Sequence, residues 1–310
     1  MVESTSPRVI GEVERVPYGE VFTGGAWERC CAPTTGRPLH VTGVPQLCAL
    51  HERWSDDFIN QQVGEQVVSL DYSADGTFPG GALAYDGVHR RQLEMPVSQA
   101  IAEIRAGSGT ERKERLYVYG SNTRPFEKLL EGYTPPTELI AEGSRLFTQV
   151  WLGGAGNVTP AHFDVADNVL GQIHGTKRLL LWAPSNYPHL YVNPTGARHE
   201  RHSQLGELEQ VDLARYPKFA RAEALSCELG PGELLFIPLG WFHYVRTLDF
   251  ALSINHFWHA PDMKAFLDAG FYFLRGEVRP ELLSLMVSLM MERQGLPLDG
   301  LAQHCPRVAP

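Results

Sequence analysis

The sequence lacks any run approaching the eighteen or so consecutive apolar residues from which a membrane-spanning helix is built. Its opening residues, MVESTSPRVIGEVERVPYGE, have neither the basic start nor the apolar stretch of a secretory leader. CxxC spacing is absent: Cys30, Cys31, Cys48, Cys227 and Cys305 are odd in number and scattered, so neither a disulfide scaffold nor a zinc ribbon is indicated. The neighbours Cys30 and Cys31 could bridge each other only with strain and are read as ordinary thiols. These absences lead us to expect a soluble protein of a reducing, cytoplasmic compartment. Positive charge is also scarce, with 27 Lys and Arg against 36 Asp and Glu, a net charge of -9 and a pI near 5.7. Such a balance works against a surface built to neutralise phosphates and makes a nucleic-acid partner unlikely, although RYPKFAR and TERKER are local basic patches. No internal repeat, low-complexity block or Cys/His reader module is visible.

What is present suits one large core: 43% of the 310 residues are hydrophobic and 20% charged. In the first hundred residues, RPLHVTG and EQVVSLDYS read as strands. MPVSQAIAEIRAG reads as a helix with Pro96 in its first turn and Gly107 as its stop. From LYVYGSN to Trp258, short apolar segments alternate with Gly and Pro: FTQVWLGG, NVLGQIHG, KRLLLWAP, ALSCELGPGELLFIP and HYVRTLDFALSINHFW. That density of strands without intervening helices predicts a mainly β fold with flanking helices, its core a jelly roll, or double-stranded β-helix. We divide the chain into an N-terminal mixed part (1–114) packing on the core, the β core itself (115–260) and a C-terminal helical segment (261–310). In the last, PELLSLMVSLMMERQG is apolar around too much of its circumference for one wet face, which predicts burial, with a homodimer interface as one solution and packing under the parent domain as the other.

The chemistry concentrates in TPAHFDVADN. On a strand, His162 and Asp164 project from one face because side chains alternate with period two. A two-histidine, one-carboxylate facial triad for iron needs one further imidazole from a distant strand, and His243, delivered by LGPGELLFIPLGWFH, is the best candidate. A histidine between such aromatics is otherwise a core residue, and its pairing with the first motif is what favours a ligand. A 2-oxoglutarate cosubstrate would leave its far carboxylate to a cation and hydroxyl donors in a partly buried pocket. Lys177, just past the turn HGT and read as lying on the next strand of a hairpin, can point into that cavity; the alternative is a solvated strand-end lysine beside Arg178.

Taken together, GNVTPAHFDVADNVLGQIHGTKRLLLWAPS, YPKFARAEALSCELGPGELLFIPLGWFHYV and SINHFW closely resemble the JmjC-type, cupin-like Fe(II)/2-oxoglutarate oxygenases. Within that family the chain is most similar to hydroxylases of protein asparaginyl side chains and of a modified tRNA base. The resemblance runs from about Arg37 to Trp258 and is strongest after Asn157. It implies that His162, Asp164 and His243 hold Fe(II) and that Lys177 pairs with the distal carboxylate of 2-oxoglutarate. Thr159 and Tyr117 match hydroxyl donors to the same carboxylate, and Asn168 and Asn255 match asparagines near its C1 carboxylate and the metal. Tyr119 falls where the family places a residue near substrate; Trp258 is a second candidate for that side, although it reads better as a wall of the barrel. The implied activity is hydroxylation of a C–H bond with release of succinate and carbon dioxide, needing no separate general base or nucleophile.

The expected substrate is a protein or peptide side chain, with a small metabolite or modified tRNA base as the alternative and a catalytically inactive binding protein as a third reading. Hydroxylation is favoured over demethylation because no reader module accompanies the core. The connection 185–218 is long for a barrel loop and is expected to contribute to substrate recognition or a lid. Within it ARHERHSQ, with His199 and His202 and with His189 upstream, reads as a charged, solvated or substrate-contacting segment.

Overall fold

In the computed structural model, residues 4–31, 36–78, 90–108, 113–120, 123–139, 145–164, 166–193 and 201–258 are described. The helix and dimer contact expected over Pro280–Gly295, His199 and Cys305 lie outside them. In chain order the elements are β1 (Ser4–Thr5), β2 (Arg8–Glu12), β3 (Glu14–Pro17), α1 (Ala26–Cys30), β4 (Leu39–Thr42), α2 (Pro45–Arg53), α3 (Asp56–Val63) and β5 (Val67–Ser73). Then follow β6 (Arg90–Pro96), α4 (Val97–Gly107), β7 (Arg115–Val118), α5 (Glu127–Leu130), β8 (Arg145–Gly153), β9 (Val158–Phe163), β10 (Asp167–His174) and β11 (Lys177–Trp182). The last are β12 (Val211–Asp212), β13 (Glu223–Leu229), β14 (Leu234–Ile237), β15 (Phe242–Thr247) and β16 (Ala251–Trp258).

The core is a jelly roll. A 9-stranded sheet, ordered β3-β4-β14-β10-β16-β8-β7-β5-β6, faces a 5-stranded sheet, ordered β2-β13-β11-β15-β9. Within them β14-β10-β16-β8 and β13-β11-β15-β9 are two antiparallel sets between which the chain passes back and forth. Of the described residues before 115, β3 to β6 extend the large sheet, β2 extends the small one, and α2 and α4 pack behind the large sheet. A 2-stranded pairing of β1 with β12 adds a further tie.

Apolar residues occupy both faces of the central strands, which is why those strands read as near-continuous hydrophobic runs. Between the sheets, Leu179, Leu181 and Val245 meet Leu170, Leu235 and Ile237. Behind the large sheet, Val169, Leu252 and Ile254 pack with Leu47 of α2 and Ile101 of α4. Outside the small sheet, Phe163, Trp182 and Phe242 pack with Leu190 and Phe219 of the long connection. Each such side chain, fully buried, contributes roughly 1.5–3 kcal/mol. The helices follow local rules: Pro45 opens α2, and the Ser55 hydroxyl caps α3 by accepting from Phe58 N at 3.2 Å.

Among the described residues the cysteines are free. Cys227 sits at one end of the barrel, 3.6 Å from His40 Nδ1, while His40 Nε2 lies 2.9 Å from Glu233. Burial pushes the Cys227 thiol up to about 12, so this cluster ties β4 to β13 and is no nucleophile.

Candidate metal centre

Two strands and one turn bring His162, Asp164 and His243 together. His162 on β9 is the direct cross-strand partner of His243 on β15, and the rings lie 4.1 Å apart between centroids. Asp164 stands just past the end of β9. Ahead of β15 the chain reverses through Pro238–Trp241, where Trp241 N donates to Pro238 O at 3.1 Å and Gly240 takes a φ of 82°. That is the position of a type II turn that requires the left-handed region, which glycine occupies without a steric penalty. Gly240 N also donates to Asp164 O at 3.0 Å, so the turn that aims His243 holds the backbone of Asp164 as well.

One ligand atom from each of the three residues lies within 4.8 Å of the others. The tautomers are set locally: His162 Nδ1 faces Pro160 O at 2.9 Å and His243 Nδ1 faces Trp241 O at 3.1 Å. Each Nδ1–H therefore donates to a carbonyl, leaving both Nε2 lone pairs for a metal. Asp164 Oδ2 lies 3.6 Å from His243 Nε2. Burial, followed by the His243 neighbour, depresses the His162 pKa to about 3, partly opposed by Asp164, so this imidazole stays neutral over the physiological range. A nitrogen, nitrogen, oxygen set on one side of a cavity suits a divalent ion such as iron with its remaining positions open.

A second group of residues faces the same interior. The register pairs Leu181 with His243 and Lys177 with Thr247, so Lys177 projects from the inward face that carries His243. The hairpin expected to carry Lys177 is not formed: β10 belongs to the large sheet and β11 to the small one, and the chain crosses between them at Gly175 and Thr176. The cavity is nevertheless shared, because the inner faces of the two sheets oppose each other. Lys177 is 2% exposed, and burial lowers its pKa to about 7. Among the described residues no carboxylate pairs with it; the centroid of the Tyr117 ring lies 6.0 Å from Nζ.

Thr159 enters this group through an irregularity. The pairing of β9 with β15 shifts by one residue between His162 and Thr159, at Pro160, so two positions three apart both face inward. Tyr117 and Thr159 share a side-chain hydrogen bond, and burial raises the Tyr117 phenol well above its ordinary range. The Tyr117 ring fits because its cross-strand partner is Gly153: a Cβ there would lie 2.8 Å from the ring.

Asn168 and Asn255 meet on adjacent strands, with Asn255 Nδ2 donating to Asn168 Oδ1 at 2.8 Å, while the buried Asn255 Oδ1 has no hydrogen-bond partner. Tyr119 packs edge-on to Tyr117 (5.5 Å) and to Trp151 (4.8 Å) and is half-buried. Trp258, expected on the substrate side, lies elsewhere. It is 5% exposed, belongs to the cluster behind the large sheet and stacks on Phe236 at 5.8 Å, because its place on β16 turns it away from the interior.

The structure adds two residues that the sequence reading left in a solvated run. His202 is buried and stacks on His162, with centroids 4.7 Å apart and planes within 5°. Arg201 Nη1 lies 3.8 Å from Asp164 Oδ1. Backbone bonds from Ser203 N to Ala161 O (2.7 Å) and from Phe163 N to Arg201 O (3.4 Å) lay this part of the connection along β9. No local period in ARHERHSQ announces it, because the pairing is a tertiary contact.

The residues present fit an iron and 2-oxoglutarate pair on two observations: three convergent neutral-nitrogen and carboxylate donors, and a buried ammonium without a counter-charge among the described residues. Comparison with known proteins gives the same direction. Residues 30–264 match the family model described as a cupin-like domain. The chain is 36% identical over 261 residues to tRNA wybutosine-synthesizing protein 5 of Danio rerio, covering 80% of this chain and 68% of the relative. It is 35% identical over 228 residues to lysine-specific demethylase 8 of Xenopus tropicalis, covering 72% and 48% respectively. With lysine-specific demethylase JMJ30 of Arabidopsis thaliana it shares 37% identity over 225 residues, covering 72% and 50%.

Proposed function

Since the chain belongs to the cupin-like domain family, as an enzyme of the JmjC oxygenase type, we propose that it hydroxylates a C–H bond of a protein or peptide side chain. The observation that carries this reading is the convergence of the His162, Asp164 and His243 donor atoms within 4.8 Å, inside the barrel that also buries Lys177 with no carboxylate partner among the described residues. Iron(II) and 2-oxoglutarate, when bound, supply oxidative decarboxylation to succinate and carbon dioxide coupled to insertion of one oxygen atom into the substrate.

The chain's own residues do the positioning. His162 and His243 offer Nε2, and Asp164 offers Oδ2, as the metal ligands. Lys177 neutralises the far carboxylate of 2-oxoglutarate, with the hydroxyls of Thr159 and Tyr117 as donors to it. Asn168 and Asn255 hold each other beside the metal ligands, and the free Asn255 Oδ1 accepts from a bound group. Leu170, Leu179 and Val245 close the interior to water. Tyr119, on Trp151, is our candidate contact to substrate. The free thiols fit a reducing compartment, and no helix among the described residues is long and apolar enough to cross a membrane.

A modified tRNA base is the second reading, favoured by the similar proteins named tRNA wybutosine-synthesizing protein 5 and by three exposed cations, Arg215, Lys218 and Arg221, between β11 and β13. Against it stands the net charge of -9. The two are separated by incubating the iron-loaded protein with 2-oxoglutarate and oxygen, once with host peptides and once with host tRNA, and reading each pool by mass spectrometry. Gain of one oxygen atom on a peptide supports the first reading. Gain on a tRNA nucleoside, with salt-sensitive tRNA binding, replaces it by the second.

A further inference from the structure

The geometry points to Arg201 and His202 as positioning residues for the metal centre, a role that rests on the iron reading above and extends it to the long connection. Asp164 has two oxygens with different neighbours. Oδ2 faces His243 Nε2 at 3.6 Å, while Oδ1 faces Arg201 Nη1 at 3.8 Å. Because Asp164 lies past the last residue of β9, no strand partner fixes its side chain, which is 20% exposed. A guanidinium on the outer oxygen selects the rotamer that turns the other oxygen inward.

His202 does the equivalent for His162. The two rings stack almost parallel with centroids 4.7 Å apart, and the His243 ring lies tilted against His162 at 4.1 Å. The His162 ring thus touches two imidazoles, and its Nδ1–H is fixed on Pro160 O. The dipeptide is held to β9 by the bonds of its flanking backbone to Ala161 and Phe163, and by Asn193 N donating to His202 O at 2.9 Å. One segment of the long connection therefore supports His162 on β9 and the side chain of Asp164 just past its end, while the Gly240 turn supports His243 and the backbone of Asp164.

A cation near the centre also repels a divalent ion. Two features make orientation the larger effect: the Arg201 side chain is 38% exposed, so its charge is screened, and it meets Oδ1, not the Oδ2 that lies against His243.

The test uses Co(II) as a spectroscopic stand-in for Fe(II), titrated into the metal-free full chain. Wild type is compared with Arg201→Ala, Arg201→Lys, His202→Ala and His202→Phe, each first checked for folding by circular dichroism. The expected result is about tenfold weaker Co(II) binding and an altered d–d spectrum in Arg201→Ala and His202→Ala. Arg201→Lys restores part of the affinity by keeping the charge, and His202→Phe does so by keeping the stack, so each conservative variant covers the case in which its alanine partner fails to fold. Wild-type affinity and spectrum in all folded variants overturn the inference and leave the iron reading standing. A folded wild type that binds no Co(II) removes the iron reading and this inference with it.

Discussion

Lys177 is the residue whose electrostatics expose the site most sharply, because a buried ammonium without a counter-charge is costly and its cost depends on pH. Burial brings its pKa from 10.5 to about 7. Between those values the unfolded chain binds a proton that the folded chain does not, so the contribution to stability rises with pH from about 7 to 10.5; below about 7 the cost of burying the charge is fully present. Thermal melting of the cosubstrate-free protein should show that rise, and Lys177→Met should lack it; parallel curves would contradict the burial of a titrating amine. Affinity for 2-oxoglutarate should run the other way, weakening above about pH 7 as the ammonium is lost, by isothermal titration with the metal site loaded. Gly153→Ala, which drives a Cβ into the Tyr117 ring, is expected to weaken 2-oxoglutarate binding while leaving Co(II) binding intact. The convergence of His162, Asp164 and His243 was legible from the His-x-Asp spacing together with the family resemblance, which also singled out Lys177. Arg201 and His202 were not, since a stack and an ion pair across a long connection leave no local period.

At the level of elements, the strands from β7 to β16 other than the short β12 could be read almost to their ends, because apolar runs alternate there with Gly and Pro turns. Their partners could not: adjacent strands in a jelly roll belong to opposite sheets, so β10 and β11 look like a hairpin in sequence and are not paired. The same applies to Trp258, whose side chain follows the facing of β16 and joins the core behind the large sheet. The Pro238–Trp241 turn carries the next prediction. Gly240→Ala forces an L-residue to φ 82°, which costs roughly 1–2 kcal/mol. Urea unfolding should show that loss, and Co(II) binding should weaken as well, because the turn holds both His243 and Asp164. Unchanged metal binding in a destabilised variant would separate the turn from the site.

For the whole molecule, the two sheets act as one clamp: the small sheet supplies His162, Lys177 and His243, the large sheet supplies Tyr117, Asn168 and Asn255, and the interior between them is sealed by leucines and valines. The pairing of Fe(II) with 2-oxoglutarate inside that clamp is the central claim. It is tested most directly by adding Fe(II) and then 2-oxoglutarate to the metal-free protein under strict anaerobiosis and recording the visible spectrum, with His162→Ala and Lys177→Ala beside the wild type. The account predicts a weak charge-transfer band in the wild type, absent in His162→Ala and needing more 2-oxoglutarate in Lys177→Ala. A folded wild type with no band, or a band that survives His162→Ala unchanged, would contradict it.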